Sequence, residues 1–361
     1  MTEFEVWDKK FREHDMYSFN GDRNGLLWLK VRAVSRSKQI KEFTKKNNIA
    51  LTGKKLSDKN IELFDILQKR DDATDMLDRF LKDVNQEWYS AMGVNAEKLK
   101  VDLFSLQHYT WGGDRNNSLD KYLISRYVKT ISDFSELQRH NCEIAGNAWN
   151  YVQNSWYNNW TSFLIESIFK HNPKVVSAVG EIKNVDFFID NFPIDLKVTF
   201  FPNKFLEQKF KAATGKNILG WLKKKGKTFG ITADKSMDEP RQIYVLSEKL
   251  KECGHTEIIN ELINLRRNII EDAIGNPSEL MKWLYENQGE MRFGAENRLY
   301  LILADIENID QSWKMKRAFS LIEPVINNYI DKFSQSSLKK ITFEYKKKKY
   351  NSLADALFIT R

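Results

Sequence analysis

The spacing of apolar positions divides this chain into a helical first part and a mixed second part. Over residues 60–84, Leu63, Ile66, Leu67, Met76, Leu77, Phe80 and Leu81 recur close to the helical period, which predicts an amphipathic helix. Further helices are expected over 119–140 and 143–171, the second stopped by Asn172-Pro173. The segment HYTWGGDRNNS (108–118) gathers turn formers and reads as a boundary or a recognition loop. After Pro173 the period shortens. VVSAV (175–179), VDFFI (185–189) and IDLKVTFF (194–201) are short β-type runs separated by turn residues. A lysine-rich helical stretch over 203–225 follows, then a strand at 242–247 (QIYVLS) and helices across 255–288. A strand at 298–304 (RLYLILA), a helix across 313–333 and a strand or hairpin in KKITFEYKKKKYNSLADALFI complete the pattern.

In order this is helix, three-stranded meander, helix, strand, helix, strand, helix. That succession implies an α/β fold with a mixed β-sheet flanked by helices. A mainly α-helical N-terminal region over 1–150 precedes it, and 361 residues suffice for two such domains, 1–150 and 151–361.

Two carboxylates and an ammonium interrupt the apolar runs of the meander. Alternation along a strand puts Asp195, Lys197 and Thr199 on one face and Ile194, Leu196, Val198 and Phe200 on the other. A four-residue connection, Asp190 to Pro193, would pair Ile189 with Ile194 and set Asp186 opposite Lys197 and Phe188 opposite Asp195. A one-residue slip would send Asp186 to the apolar face, which burial forbids. Carboxylates on adjacent strands can share a Mg²⁺, a hard cation that wants oxygen ligands. Such an ion positions water and offsets the charge that develops in phosphodiester cleavage, and a neighbouring lysine can orient the water. The other reading of the same residues is a cross-strand Asp–Lys pair on an exposed sheet face, which contributes little.

Charge sharpens the choice. A net charge of +8 and a pI near 9.1 favour a polyanionic partner, nucleic acid before an anionic membrane, against a merely solvated basic surface. Eight lysines stand between Lys204 and Lys227 against one acid, Glu207. Within them Lys223, Lys224, Lys225 and Lys227, beside Trp221 and Phe229, suit phosphate contacts that position DNA without reading sequence. Lys346 to Lys349 form a second cluster in the tail. No apolar run approaches the ~20 residues of a membrane span, and the start, MTEFEVWDKK, lacks a signal peptide's apolar stretch. The two cysteines, Cys142 and Cys253, and five scattered histidines support neither a disulfide framework nor a zinc site, and fit a reducing cytoplasm.

Asp186, eight intervening residues and then Asp195-Leu196-Lys197 resembles the PD-(D/E)xK signature of the restriction-endonuclease-like nuclease superfamily. The context is similar too: the first acid precedes a hairpin turn, the acid-x-Lys lies on the next apolar strand, and a helix precedes the meander. The resemblance covers roughly residues 155–305, with Val185 where the signature has proline and Asp195 where Glu is commoner. It implies a restriction-endonuclease-like core in which Asp186 and Asp195 bind Mg²⁺ and Lys197 assists the attacking water. Many members add a glutamate from the preceding helix, here Glu166, with Glu181 as the substitute. Gln208 is followed four residues on by Ala212, which departs from the exonuclease-like branch. A chain of this length looks more like a type II restriction endonuclease, a homodimer cutting duplex DNA beside a companion DNA methyltransferase. Two alternatives stand. One is a repair or phage-defence nuclease with residues 1–150 as sensor of DNA structure or modification. The other is a nuclease-like fold that binds nucleic acid without catalysis.

Overall fold

The computed structural model describes residues 2–113, 118–179, 182, 184–289 and 293–361. The chain opens with α1 (Glu3–Arg12), α2 (Arg23–Ala33), α3 (Ser37–Lys46), α4 (Leu56–Leu67), α5 (Ala73–Met92) and α6 (Ala96–Asp102). Next come α7 (Leu119–Leu123), which runs into a π turn over Ile124–Val128, then α8 (Phe134–Arg139) and the long α9 (Asn141–Lys170). Strands β1 (Val175–Ser177), β2 (Phe187–Ile189) and β3 (Phe192–Phe200) lead into α10 (Asn203–Thr214), α11 (Ile218–Lys227), α12 (Glu239–Glu252), α13 (Thr256–Gly275) and α14 (Ser278–Glu286). Strand β4 (Arg298–Ala304), α15 (Phe319–Asp331) and the hairpin β5 (Lys339–Tyr345) and β6 (Lys348–Thr360) follow.

Among the described residues the strands form one six-stranded mixed sheet in the order β1-β2-β3-β4-β6-β5. The meander β1–β2–β3 is antiparallel, β4 runs parallel to both β3 and β6, and β5 returns antiparallel to β6. Strand β4 is buried along its whole length, as its unbroken apolar run requires for a parallel strand covered on both faces. One face, through Ile194, Leu196, Leu299, Leu301 and Leu303, packs on α9 and α15. The other, through Tyr300, Ile302 and Ala304, packs on α10 to α14. The meander end carries a third core, in which Val176, Val185 and Phe188 sit with Phe4, Trp28, Phe64 and Leu77 of the first helices. The first helices are thus packed against the sheet, and the division expected after residue 150 falls inside α9.

Several expectations need correction. The segment 242–247 is helical, lying within α12 and not on a strand. Asp238 accepts the Arg241 N–H as its N-cap, Pro240 occupies the first turn, and Gln242, Leu246 and Leu250 bury at intervals of four. That spacing outweighs the β preference of Ile-Tyr-Val. The single helix expected over 60–84 breaks between α4 and α5, where Arg70 pairs with Asp72 at 2.9 Å. The stretch 119–140 is three short pieces, and 203–225 divides at Gly215, whose φ of 74° ends α10 in the left-handed region. Of the loop 108–118, residues 114–117 lie outside the described residues. Among the described residues no helix is long and apolar enough to cross a membrane.

Candidate active site

The hairpin that carries the two acids turns on two residues, Asp190 and Asn191, with φ of 46° and 66°. Asp and Asn tolerate the left-handed region, and two consecutive residues there match the twist of the flanking strands. The expected four-residue connection is therefore replaced by a two-residue one. Phe192 and Pro193 join β3, and the register becomes Phe187 with Ile194, Phe188 with Pro193 and Ile189 with Phe192. The shift from the expected pairing is two residues, so the faces survive it: Phe187 and Ile189 stay in the core that holds Ile194 and Leu196. Asp186 is not opposite Lys197. Its N–H donates to the Ile194 carbonyl at 2.8 Å, although Ile194 is already in register with Phe187. Two residues facing one are the signature of a β-bulge, a device that re-aims a side chain. The re-aimed carboxylate of Asp186 accepts the N–H of Leu196 at 2.8 Å.

Asp195 is buried and held from two sides. Lys197 Nζ reaches Oδ1 at 2.6 Å, with its side chain half exposed, and Arg298 Nε reaches Oδ2 at 3.2 Å. Parallel pairing sets Arg298 beside Asp195 and Tyr300 beside Lys197. The guanidinium also binds Glu296 at 2.8 Å and lies 4.8 Å from the centre of the Tyr285 ring. Burial opposes its charge, but Tyr300, Tyr285, Glu296 and Asp195 outweigh burial and hold Arg298 above its ordinary range. The charged face of the hairpin is consequently no open sheet surface. It runs into a buried polar network roofed by α14.

Burial pushes the Asp186 carboxyl up to about 6, helped by the negative charges of Asp195 and Glu166 and opposed by the Leu196 N–H and Lys197. Glu166, on the last turns of α9, is thus near enough to be felt at Asp186, but its direct partner is Lys170 at 3.0 Å. Glu181 lies outside the described residues. Among the described residues no group of three or more His, Cys, Asp and Glu side chains is gathered closely enough to hold a metal ion. Asp186 and Asp195 alone still fit Mg²⁺, which is commonly held by one or two carboxylates and keeps several waters. A cation there would offset the negative charges of Asp195 and Glu166, which add to the larger effect of burial at Asp186.

No family model, curated protein or solved structure matches the chain.

The first helices brace this site from behind. Lys30 of α2, fully buried, donates to Asp78 of α5 at 2.5 Å and to the Asn191 side chain in the hairpin turn. Burial lowers its pKa against the pull of Asp78. Asn20 exchanges amide hydrogen bonds with Asn297 at 2.6 and 3.2 Å, and the Asn297 carbonyl accepts the Asp195 N–H at 2.9 Å. Of the lysines expected to track phosphate, Lys223, Lys224 and Lys227 are exposed on α11, whereas Lys225 pairs with Glu261 at 2.6 Å. Sequence reasoning missed Arg298, Glu296 and Lys30. The charges heading the run ENRLYLILA were the available signal for the first two, and nothing marked the third.

Proposed function

We propose that this chain is a Mg²⁺-dependent endonuclease that hydrolyses phosphodiester bonds in duplex DNA, on a restriction-endonuclease-like core. The observation that carries the reading is the bulge at Asp186, which brings a carboxylate with a raised pKa onto the peptide between Asp195 and Lys197. The strand connectivity supports it as well: an antiparallel meander, then a helical crossover to a parallel strand beside the acid-x-Lys strand.

Asp186 and Asp195 would hold the ion, which when bound polarises the phosphate and lowers the pKa of its water. Lys197, half exposed on the same face, offers an ammonium that can orient that water and offset phosphate charge. Arg298 fixes the Asp195 rotamer from the buried side. Glu166 is reserved for the periphery, since its carboxylate is paired with Lys170. The basic face of α11 supplies phosphate contacts, and a type II restriction enzyme acting as a homodimer beside a companion methyltransferase is the biological setting that fits best.

One observation favours a second reading: both Asp195 oxygens already have cationic partners, as in a structural ion-pair network of a non-catalytic DNA-binding protein. Incubating methylated and unmethylated plasmid with the protein, in Mg²⁺ or in EDTA, tests the choice. Mg²⁺-dependent cutting by the native chain, absent from Lys197→Ala, is expected. Binding without cutting under every condition would establish the second reading.

A further inference from the structure

We propose that the hollow between α5, the end of α9 and β1 receives one nucleotide of the DNA, turned out of the base stack beside the candidate site. Two adjoining cavities, of about 480 and 250 Å³, meet there and share Asn85 and Lys170 as lining. The larger has the size of a small-ligand site. Lys82 and Lys170 line it, and Arg36, at the head of α3, lines the smaller one. No Asp or Glu is among the described residues lining either cavity. Glu166 holds Lys170 at 3.0 Å, but Lys82 Nζ rests on the Pro173 carbonyl at 2.7 Å, a neutral acceptor that leaves its charge uncompensated. An anion is attracted to such a hollow.

Two further features ask for more than a bare phosphate. Ser177, only 2% exposed, lines the larger cavity, and its Oγ has no hydrogen-bond partner among the described residues. The Gln39 Oε1, beside the smaller cavity, is buried and equally unpartnered. Buried polar atoms are rarely left so, and the edge of a base carries the donors and acceptors that would satisfy them. Trp88, 48% exposed, and Tyr89, which packs on it at 4.9 Å, stand at the same walls. Lysines beside open aromatic rings are the means by which proteins hold unpaired nucleotides. A paired base has both faces stacked and cannot enter.

The hollow adjoins the acids. Ser177 is in register with Phe187, the residue after Asp186, and Ala178 of the smaller cavity donates its N–H to the Asp186 carbonyl at 3.0 Å. Glu166 lies between the two places, since its charge is felt at both Asp186 and Tyr89. A strand with a phosphate at Asp186 and Asp195 can thus lay a neighbouring nucleotide into the hollow. The proposal rests on the nuclease reading of those acids and adds to it a preference for DNA with an unpaired nucleotide.

Anisotropy of labelled DNA in EDTA tests this without using cleavage, with a fully paired duplex and the same duplex carrying one unpaired thymidine as probes. The native full-length chain is expected to bind the second about tenfold more tightly, because its base is already out of the stack. Trp88→Ala and Lys82→Gln are each expected to abolish that preference with the melting temperature unchanged, and excess thymidine monophosphate to abolish it in the native protein. Equal native affinity for the two duplexes overturns the proposal, as does a preference that survives both variants. Thymidine monophosphate binding that depends on Trp88 and Lys82, without any preference between the duplexes, assigns the hollow to a free nucleotide and also overturns it. A preference without cutting in Mg²⁺ sinks the nuclease reading and spares this one, and cutting without a preference does the reverse.

Discussion

The Asp186 carboxylate accepts the backbone N–H of Leu196 at 2.8 Å, so one acid of the pair is anchored to the peptide that joins the other acid toward Lys197. The side chain stands in where the bulge takes the strand carbonyl out of step. Asp186→Asn can keep this hydrogen bond and loses only the charge, whereas Asp186→Ala leaves the Leu196 N–H unpaired. We expect the alanine variant to be ~1–3 kcal/mol less stable than the asparagine variant, with both inactive on DNA. Urea melts and plasmid assays of the two check this, and equal stability would remove the anchoring role.

The raised pKa of Asp186 gives stability a defined pH dependence. Its folded pKa of about 6 exceeds the ordinary 3.8, so the folded chain holds the proton more tightly than the unfolded one. The contribution therefore favours the fold below about pH 4 and is lost as pH rises through 6, amounting to at most ~3 kcal/mol. In metal-free buffer the native protein should lose stability relative to Asp186→Asn across that interval and stay level above it. Mg²⁺ should raise the native melting temperature at pH 7.5 and leave it unchanged at pH 4.5, where the carboxyl is protonated. Parallel pH profiles of native and variant would argue against the assignment.

Lys197→Ala is expected to abolish cleavage with the fold and DNA affinity retained, because the lysine side chain is half exposed and Arg298 still pairs with the buried Asp195 carboxylate. Asp195→Asn is expected to abolish cleavage and also to weaken Mg²⁺ binding, since an amide lacks the carboxylate charge. Calorimetric Mg²⁺ titrations beside plasmid assays separate the two. Native-rate cutting by the Lys197→Ala protein defeats the mechanism.

Lys30 should matter for stability more than for chemistry. Lys30→Ala empties a fully buried site and strips Asp78 and Asn191 of their donor, a loss on the order of 2–3 kcal/mol. Lys30→Met, which refills the volume while Asp78 stays partly exposed, should cost clearly less. Chemical denaturation of both variants decides the point, and an identical loss would show that packing plays no part.

Removing the exposed lysines 223, 224 and 227 together should weaken DNA binding about equally on unrelated sequences and reduce the salt slope by about 3. Lys225→Ala, whose ammonium is engaged by Glu261, should change that slope less. Affinities measured over a range of salt concentrations supply the test. A native protein with a flat salt dependence has no phosphate-tracking face.

The chemistry on offer and most of the elements that carry it are legible in the order of residues alone. Alternation alone put Asp195 and Lys197 on one face and Ile194 and Leu196 on the other, and a register shift of two residues left that assignment intact. The unbroken apolar run 298–304 marked the central strand, and the change of period after Pro173 marked the start of the sheet. Local pattern failed where two periods overlap: Ile-Tyr-Val in 242–247 satisfies a strand, while Gln242, Leu246 and Leu250 satisfy a helix, and packing against the neighbouring helices chose the second. Only the tertiary structure could set Arg298 against Asp195, because parallel pairing joins residues about a hundred positions apart and no local rule specifies its register. The same holds for Lys30 beneath the hairpin turn. A charge that is fully buried reads in sequence like any surface lysine until the fold brings Asp78 and Asn191 to it.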